Sequence, residues 1–145
     1  MPGLKGMIFR WWDPMGAVCR AIEGWIPEDL SSESVVESSL ALHLSQRING
    51  AEIRRQFAYD RIRADLLIEE TVAIEIKLNL RSTNEFQRLI GQLETYARWG
   101  KRTIVLLVGE TDENLQRRIK ERLLSDWGDE DCARVVHVPA PAEFV

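Results

Sequence analysis

The chain has 145 residues, 45% of them hydrophobic and 29% charged, enough to bury one core and too apolar for a disordered chain. No apolar run approaches the ~20 residues of a membrane-spanning helix, and the segment from Met7 to Trp12 is too short for a secretory signal, so a cytoplasmic protein with no membrane partner is expected. The net charge of −4 argues against an indiscriminate polyanion binder, but it is unevenly spread: residues 47–102 carry eleven basic and eight acidic side chains between two acidic flanks, and phosphate binding depends on local rather than average charge.

Cys19 and Cys132 lie far apart with no C-x-x-C pair, which gives a zinc cluster no support and reads as two free thiols. His43 and His137 form no His-x-x-x-His pair; both read as structural side chains.

In chain order, residues 1–30 form an N-terminal arm. It holds Trp11, Trp12, Met15 and Trp25, is broken by Pro14, Gly16, Gly24 and Pro27, and has a short helix expected over 17–25. So much aromatic surface suits a lid over the sheet or a contact in a homodimer. Residues 31–145 are expected to form the main domain. A helix over 31–48 follows from Val36, Leu40, Leu44 and Ile48 at helical spacing, with Ser31 or Ser34 as cap, Ser34-x-x-Glu37 as a capping box and Gly50 as stop. Three strands follow over 52–59, 64–68 and 72–78, the last two joined as a hairpin at Glu69-Glu70. A helix capped by Thr83 runs to Trp99 and ends at Gly100. The apolar run 103–108 reads as a strand covered on both faces. A further helix from Thr111 or Asp112 to Asp126 and a strand over 134–138 complete the order. A meander followed by helical crossovers implies an α/β fold, a mixed central sheet flanked by helices.

The chemistry concentrates in VAIEIKL, residues 72–78. Alternation puts Val72, Ile74, Ile76 and Leu78 on one face and Ala73, Glu75 and Lys77 on the other. In a central strand that second face is also covered, and burying a glutamate and a lysine there is costly unless they are paired or bind a cation. If the turn spans three residues, Asp65 falls opposite Glu75, with Cβ atoms roughly 4.5–5.5 Å apart. Two carboxylates that close repel unless a cation lies between them. Hard oxygen ligands of this kind suit Mg²⁺, and Lys77 beside them can orient a water and offset charge developing on a phosphate.

Asp65 followed by Glu75-Ile76-Lys77 resembles the PD-(D/E)xK nuclease superfamily, the restriction-endonuclease-like fold. The resemblance spans residues 31–109 as an αβββαβ core, with a further α-β unit beyond it. It implies that Asp65, Glu75 and the main-chain carbonyl of Ile76 bind Mg²⁺, with Mn²⁺ able to substitute, and that Lys77 activates water. It also implies an acid on the first helix, Glu37, or Glu33 one turn earlier. The family's proline before the aspartate is Ala64 here. Gln92-Leu-Glu-Thr-Tyr96 resembles the Q-x-x-x-Y motif of the RecB-like branch; Gln92 and Tyr96 share a helix face and are expected at the substrate side. Arg63, Arg81 and Arg88 are the candidate phosphate contacts.

Together these imply a DNA phosphodiester hydrolase leaving a 5′-phosphate and a 3′-hydroxyl, similar to Holliday-junction resolvases and small RecB-like nucleases. It would be directed by DNA structure or by a protein partner, and a homodimer is compatible with the fold. An RNA substrate is not excluded. The alternative is a non-catalytic DNA-binding or protein-docking module on the same fold.

Overall fold

The structure, a computed structural model, describes residues 7–8, 13–59 and 62–141. Its elements in order are β1 (Met7–Ile8), α1 (Pro14–Glu23), α2 (Glu33–Arg47), β2 (Ile48–Asn49), β3 (Ile53–Tyr59), β4 (Ile62–Ile68), β5 (Val72–Leu78), α3 (Thr83–Trp99), β6 (Arg102–Val108), α4 (Glu113–Trp127) and β7 (Ala133–Val138). Apart from the two-residue β2, the predicted α-β-β-β-α-β-α-β order from α2 onward is the observed one, in an α/β fold with a mixed sheet.

Strands β3 to β7 form that sheet in sequential order. β3–β4 and β4–β5 are antiparallel; β5–β6 and β6–β7 are parallel. Parallel neighbours need crossovers, which α3 and α4 supply. Crossovers of one hand in one direction place both helices on the same face. There Phe86, Leu89, Leu93, Leu115, Ile119 and Leu123 pack on Leu67, Ala73, Val105 and Leu107. Helices α1 and α2 cover the other face, where Val18, Ile22, Leu40 and Leu44 meet Leu66, Ile74, Ile76 and Leu106. With both faces covered, β6 is buried along six of its seven residues.

The first helix departs from expectation. The Asp13 side chain caps it by accepting from the amide of Gly16, and Pro14 occupies the first turn, where its missing N–H costs nothing. Pro14, read as a break in the arm, instead opens the helix, three residues before its expected start at Ala17. A Cβ on Gly16 would lie 2.2 Å from the Asp13 carboxylate, so the cap depends on glycine. The described part of the arm packs over one face of the sheet. Met15, Val18 and Ile22 belong to the core, Trp25 is buried with its indole N–H donating to Ser39, and His43 meets the Ala21 carbonyl at 2.7 Å. Trp11 and Trp12 lie outside the described residues. Among the described residues no helix is long and apolar enough to cross a membrane.

Two caps also differ. Ser32, not Ser31 or Ser34, caps α2 by accepting from Val35, so the Ser34–Glu37 capping box does not form. Ser82, not Thr83, caps α3, accepting from the amide of Glu85 and donating to its carboxylate. Gly100, at φ 78, ends α3 as expected. Residues β1 and β2 pair in parallel, Met7 with Ile48. Strands of two residues carry no periodicity, so nothing in the sequence marks them.

Candidate functional site

The sheet is irregular at one place, and it is there that the charged side chains gather. β3 and β4 keep one register throughout, Arg55 opposite Leu66 and Phe57 opposite Ala64, but the intervening Gln56–Asp65 pair is missing from the ladder. Gln56 sits at φ 48, a left-handed conformation that costs a non-glycine residue about 1 kcal/mol or more. Across this point the alternation of faces flips. Ile53, Leu66 and Ile68 pack toward α1 and α2, whereas Phe57 and Ala64 pack toward α3 and α4.

The β4–β5 ladder opens at the same level. It runs over Ile68↔Val72, Leu67↔Ala73 and Leu66↔Ile74, closed by the three-residue turn 69–71. Where the next pair would be Asp65 and Glu75, the Asp65 carboxylate instead accepts from the main-chain N–H of Ile76 at 2.7 Å. The aspartate therefore fills the gap between the two strands. A strand residue that points its N–H at a neighbour points its carbonyl the same way, so the Ile76 carbonyl is also directed to this gap.

Glu75 is 2% exposed. Its Oε2 lies 2.5 Å from the Tyr96 hydroxyl, and its Oε1 lies 3.5 Å from the Lys77 ammonium, itself largely covered. Burial, then the negative charge of Asp65 beside it, push the Glu75 carboxyl up to about 8. The Tyr96 hydroxyl donates to Glu75 and also touches the Arg63 carbonyl; its hydrogen bond and the nearby Lys77 ammonium offset part of that rise. Burial and the adjacent carboxylates hold the Tyr96 phenol far above its ordinary range, so it stays a neutral donor.

Asp65, Glu75, Lys77 and Tyr96 are thus brought together. Glu37 is not in the same cage. It is buried on α2, 5% exposed, and its Oε2 accepts from the Gln56 amide at 2.9 Å. Its Oε1 is 3.6 Å from the Arg55 guanidinium, too long for a hydrogen bond, and has no hydrogen-bond partner among the described residues. The same Gln56 amide lies 3.3 Å from Asp65, so Glu37 reaches the site only through Gln56. Among the described residues no three His, Cys, Asp or Glu side chains converge on one point. Glu33, the other acid considered, accepts from the main-chain N–H of Leu78 at 3.0 Å and so tethers the end of β5.

Gln92 lies one turn before Tyr96 on α3, and its side-chain oxygen is buried without a hydrogen-bond partner among the described residues. The arginines are less concentrated than expected. Arg81 is exposed and faces Glu110 at 3.2 Å, Arg88 is exposed on α3, and Arg63 offers the site its carbonyl while its side chain is exposed. Gln56 escaped the sequence reading: a polar residue in a strand rich in arginines carries no signal, and only its backbone conformation and two carboxylate contacts reveal it.

No family model and no curated protein sequence matches the chain. Among solved structures, SfsA of Pyrococcus furiosus in complex with Ca²⁺ is similar over 73% of this chain and 57% of its own, at 20% identity and a TM-score of 0.42. The chain therefore spans a little over half the length of that protein, and a likeness this low bears on neither activity nor ligand.

Proposed function

We propose that this protein is a metal-dependent nuclease of the PD-(D/E)xK type that hydrolyses DNA phosphodiester bonds. One observation carries the reading: Asp65 and Glu75 are held side by side where the sheet opens, with Lys77 alongside. A buried carboxylate with a second carboxylate and a half-buried ammonium against it weakens a fold unless something uses them.

The donor set fits Mg²⁺, or Mn²⁺ in its place. Asp65 and Glu75 supply two carboxylates and the Ile76 carbonyl a third oxygen, and Mg²⁺ takes one or two carboxylates and keeps several waters. The proton that Glu75 retains to about 8 marks a place where negative charge is under-compensated, as a site built for a cation should be. When bound, such an ion supplies electrophilic stabilisation of the phosphate and a more acidic water.

The protein's own residues do the rest. The Ile76 amide holds one oxygen of Asp65, and the Gln56 amide approaches the other at 3.3 Å. Tyr96 holds Glu75 Oε2, so Oε1 faces Lys77. The Lys77 ammonium orients the attacking water and offsets charge growing on the phosphate oxygens. Gln92, with a free buried acceptor, steadies the substrate side. Glu37 acts at one remove, through Gln56. Attack by water on phosphorus leaves a 5′-phosphate and a 3′-hydroxyl.

The test is cleavage of plasmid, single-stranded, flap and four-way-junction DNA, and of RNA, with Mg²⁺ or Mn²⁺, comparing wild type with Glu75→Ala. Metal-dependent cleavage by wild type and its loss in the variant are expected. Equal behaviour of the two, or no cleavage by either, leaves a binding module and removes the enzymatic reading.

A further inference from the structure

The open edge of the sheet carries a second feature that the nuclease reading does not use. The Phe57 ring on β3 stacks on Trp99 at the end of α3, with centroids 5.6 Å apart and planes 9° from parallel. Two cations sit by these rings: the Arg54 guanidinium 5.7 Å from the centre of Phe57 and the Lys101 ammonium 5.4 Å from Trp99. Tyr59, at the end of β3, is 61% exposed, a large fraction for a tyrosine with no burial to reward it. With Glu70 these residues line an open depression of about 580 Å³.

The depression adjoins the carboxylate site through α3: Trp99 lies 6.4 Å, centre to centre, from Tyr96, a buried residue whose hydroxyl touches Glu75.

The geometry points to this depression as a binding surface for single-stranded nucleic acid that leads the strand to the carboxylate site. Unpaired bases stack on exposed aromatic rings whatever their sequence, while neighbouring cations follow the phosphates. Tyr59 offers an uncovered ring, and Phe57 and Trp99 form a platform beside it. Arg54 and Lys101 supply the positive charge. Arg54 is shared between Glu52 and Glu70 at 2.7 and 3.1 Å, so Glu70 competes with an incoming phosphate for the same guanidinium. A duplex keeps its bases stacked on each other and offers this platform nothing. The assignment rests on the nuclease reading only for the direction in which the strand is led.

The experiment measures binding of the full chain to fluorescent oligo-dT and to a duplex of the same length, in EDTA so that cleavage plays no part. Oligo-dT should bind more tightly than the duplex. Tyr59→Ala, at an exposed position, should weaken oligo-dT binding about 10-fold, within the range for one base–aromatic stack. Lys101→Gln should lower the slope of log affinity against log salt by about 0.7. Glu70→Gln should tighten binding. Unchanged affinity in Tyr59→Ala, or equal affinity for the duplex, overturns the assignment. So does sedimentation showing a dimer that Tyr59→Ala dissociates while DNA binding persists, which gives the face to a second copy of the chain.

Cleavage, assayed separately with Mg²⁺, divides the two readings. If wild type cleaves and Tyr59→Ala binds normally, the surface fails and the nuclease stands. If Tyr59→Ala loses binding and no metal supports cleavage, the surface stands and the nuclease fails.

Discussion

The β4–β5 hairpin has two ends built on opposite principles. At the closed end, Leu66, Leu67 and Ile68 pair in register with Ile74, Ala73 and Val72, every one of them buried, and Glu69 and Glu70 take positive φ to make the turn. At the open end, one pair further on, the ladder gives way to a side chain: Asp65 takes the Ile76 amide, and a glutamate and a lysine are covered beside it. The first end buries only hydrocarbon in its paired residues, which favours folding. The second holds like charges together and forces Glu75 to keep a proton, which opposes it. Stability belongs to the turn, and the proposed chemistry to the place where the strands separate.

The strongest way to break this comparison is to exchange the effects of mutation at the two ends. At the open end, Glu75→Ala should lower metal-dependent cleavage by about a thousandfold or more, the loss of roughly 4 kcal/mol of transition-state stabilisation. It should leave the thermal midpoint unchanged or higher. At the closed end, Ile74→Ala should cost about 3 kcal/mol of stability by opening a cavity, with cleavage per folded molecule retained. Paired denaturation and cleavage measurements check both. A Glu75→Ala protein that unfolds while Ile74→Ala stays stable would show that the assignment of roles is reversed.

A smaller effect sharpens the comparison through pH. The folded Glu75 carboxyl lies near 8, above its ordinary 4.5. A raised folded value means that its stabilising contribution is complete below the ordinary value and is lost as pH climbs through the folded one. Metal-free protein should therefore lose stability between about pH 5 and pH 8.5, and Glu75→Gln, which needs no proton, should flatten that slope in denaturant titrations. Mn²⁺ affinity should run the other way, rising over the same interval as the carboxyl becomes free to ligate. A flat stability profile in wild type would mean that Glu75 ionises without cost.

How much of this was legible in the sequence follows the same division. Where local rules act alone, reading was accurate: β5 has the predicted bounds, Val72–Leu78, because alternation and an apolar run agree, and α3 ends at Gly100 because only glycine readily takes the left-handed cap. The place of the turn at Glu69-Glu70 was legible too, whereas its length of three residues, which brings Asp65 level with Glu75, entered the reading only as a condition. What escaped depends on tertiary competition. Asp13-Pro14 can end one segment or start another, and the packing of Met15 and Val18 decides it. Three serines near residue 32 are equivalent caps until the helix is docked. Glu37 was assigned to the metal from its place on α2, but Gln56 stands between it and Asp65. That link requires the strand to depart from the pattern on which any reading of a strand relies.

The smallest effect tests that departure directly. Gln56 combines a left-handed backbone with an amide that spans Glu37 and Asp65. Gln56→Ala removes the amide and keeps the strain, whereas Gln56→Gly removes both. If the strand is bent here to aim Asp65, the two variants should lose cleavage alike, about 10-fold, since each leaves Asp65 without its tether. They should differ in stability by about 1 kcal/mol in favour of glycine, which takes positive φ without penalty. Equal stability would mean that the bend is no strain for the chain. Cleavage retained by both would mean that Asp65 is aimed by the Ile76 amide alone, and that the irregular strand serves the packing of Phe57 against Trp99 rather than the carboxylates.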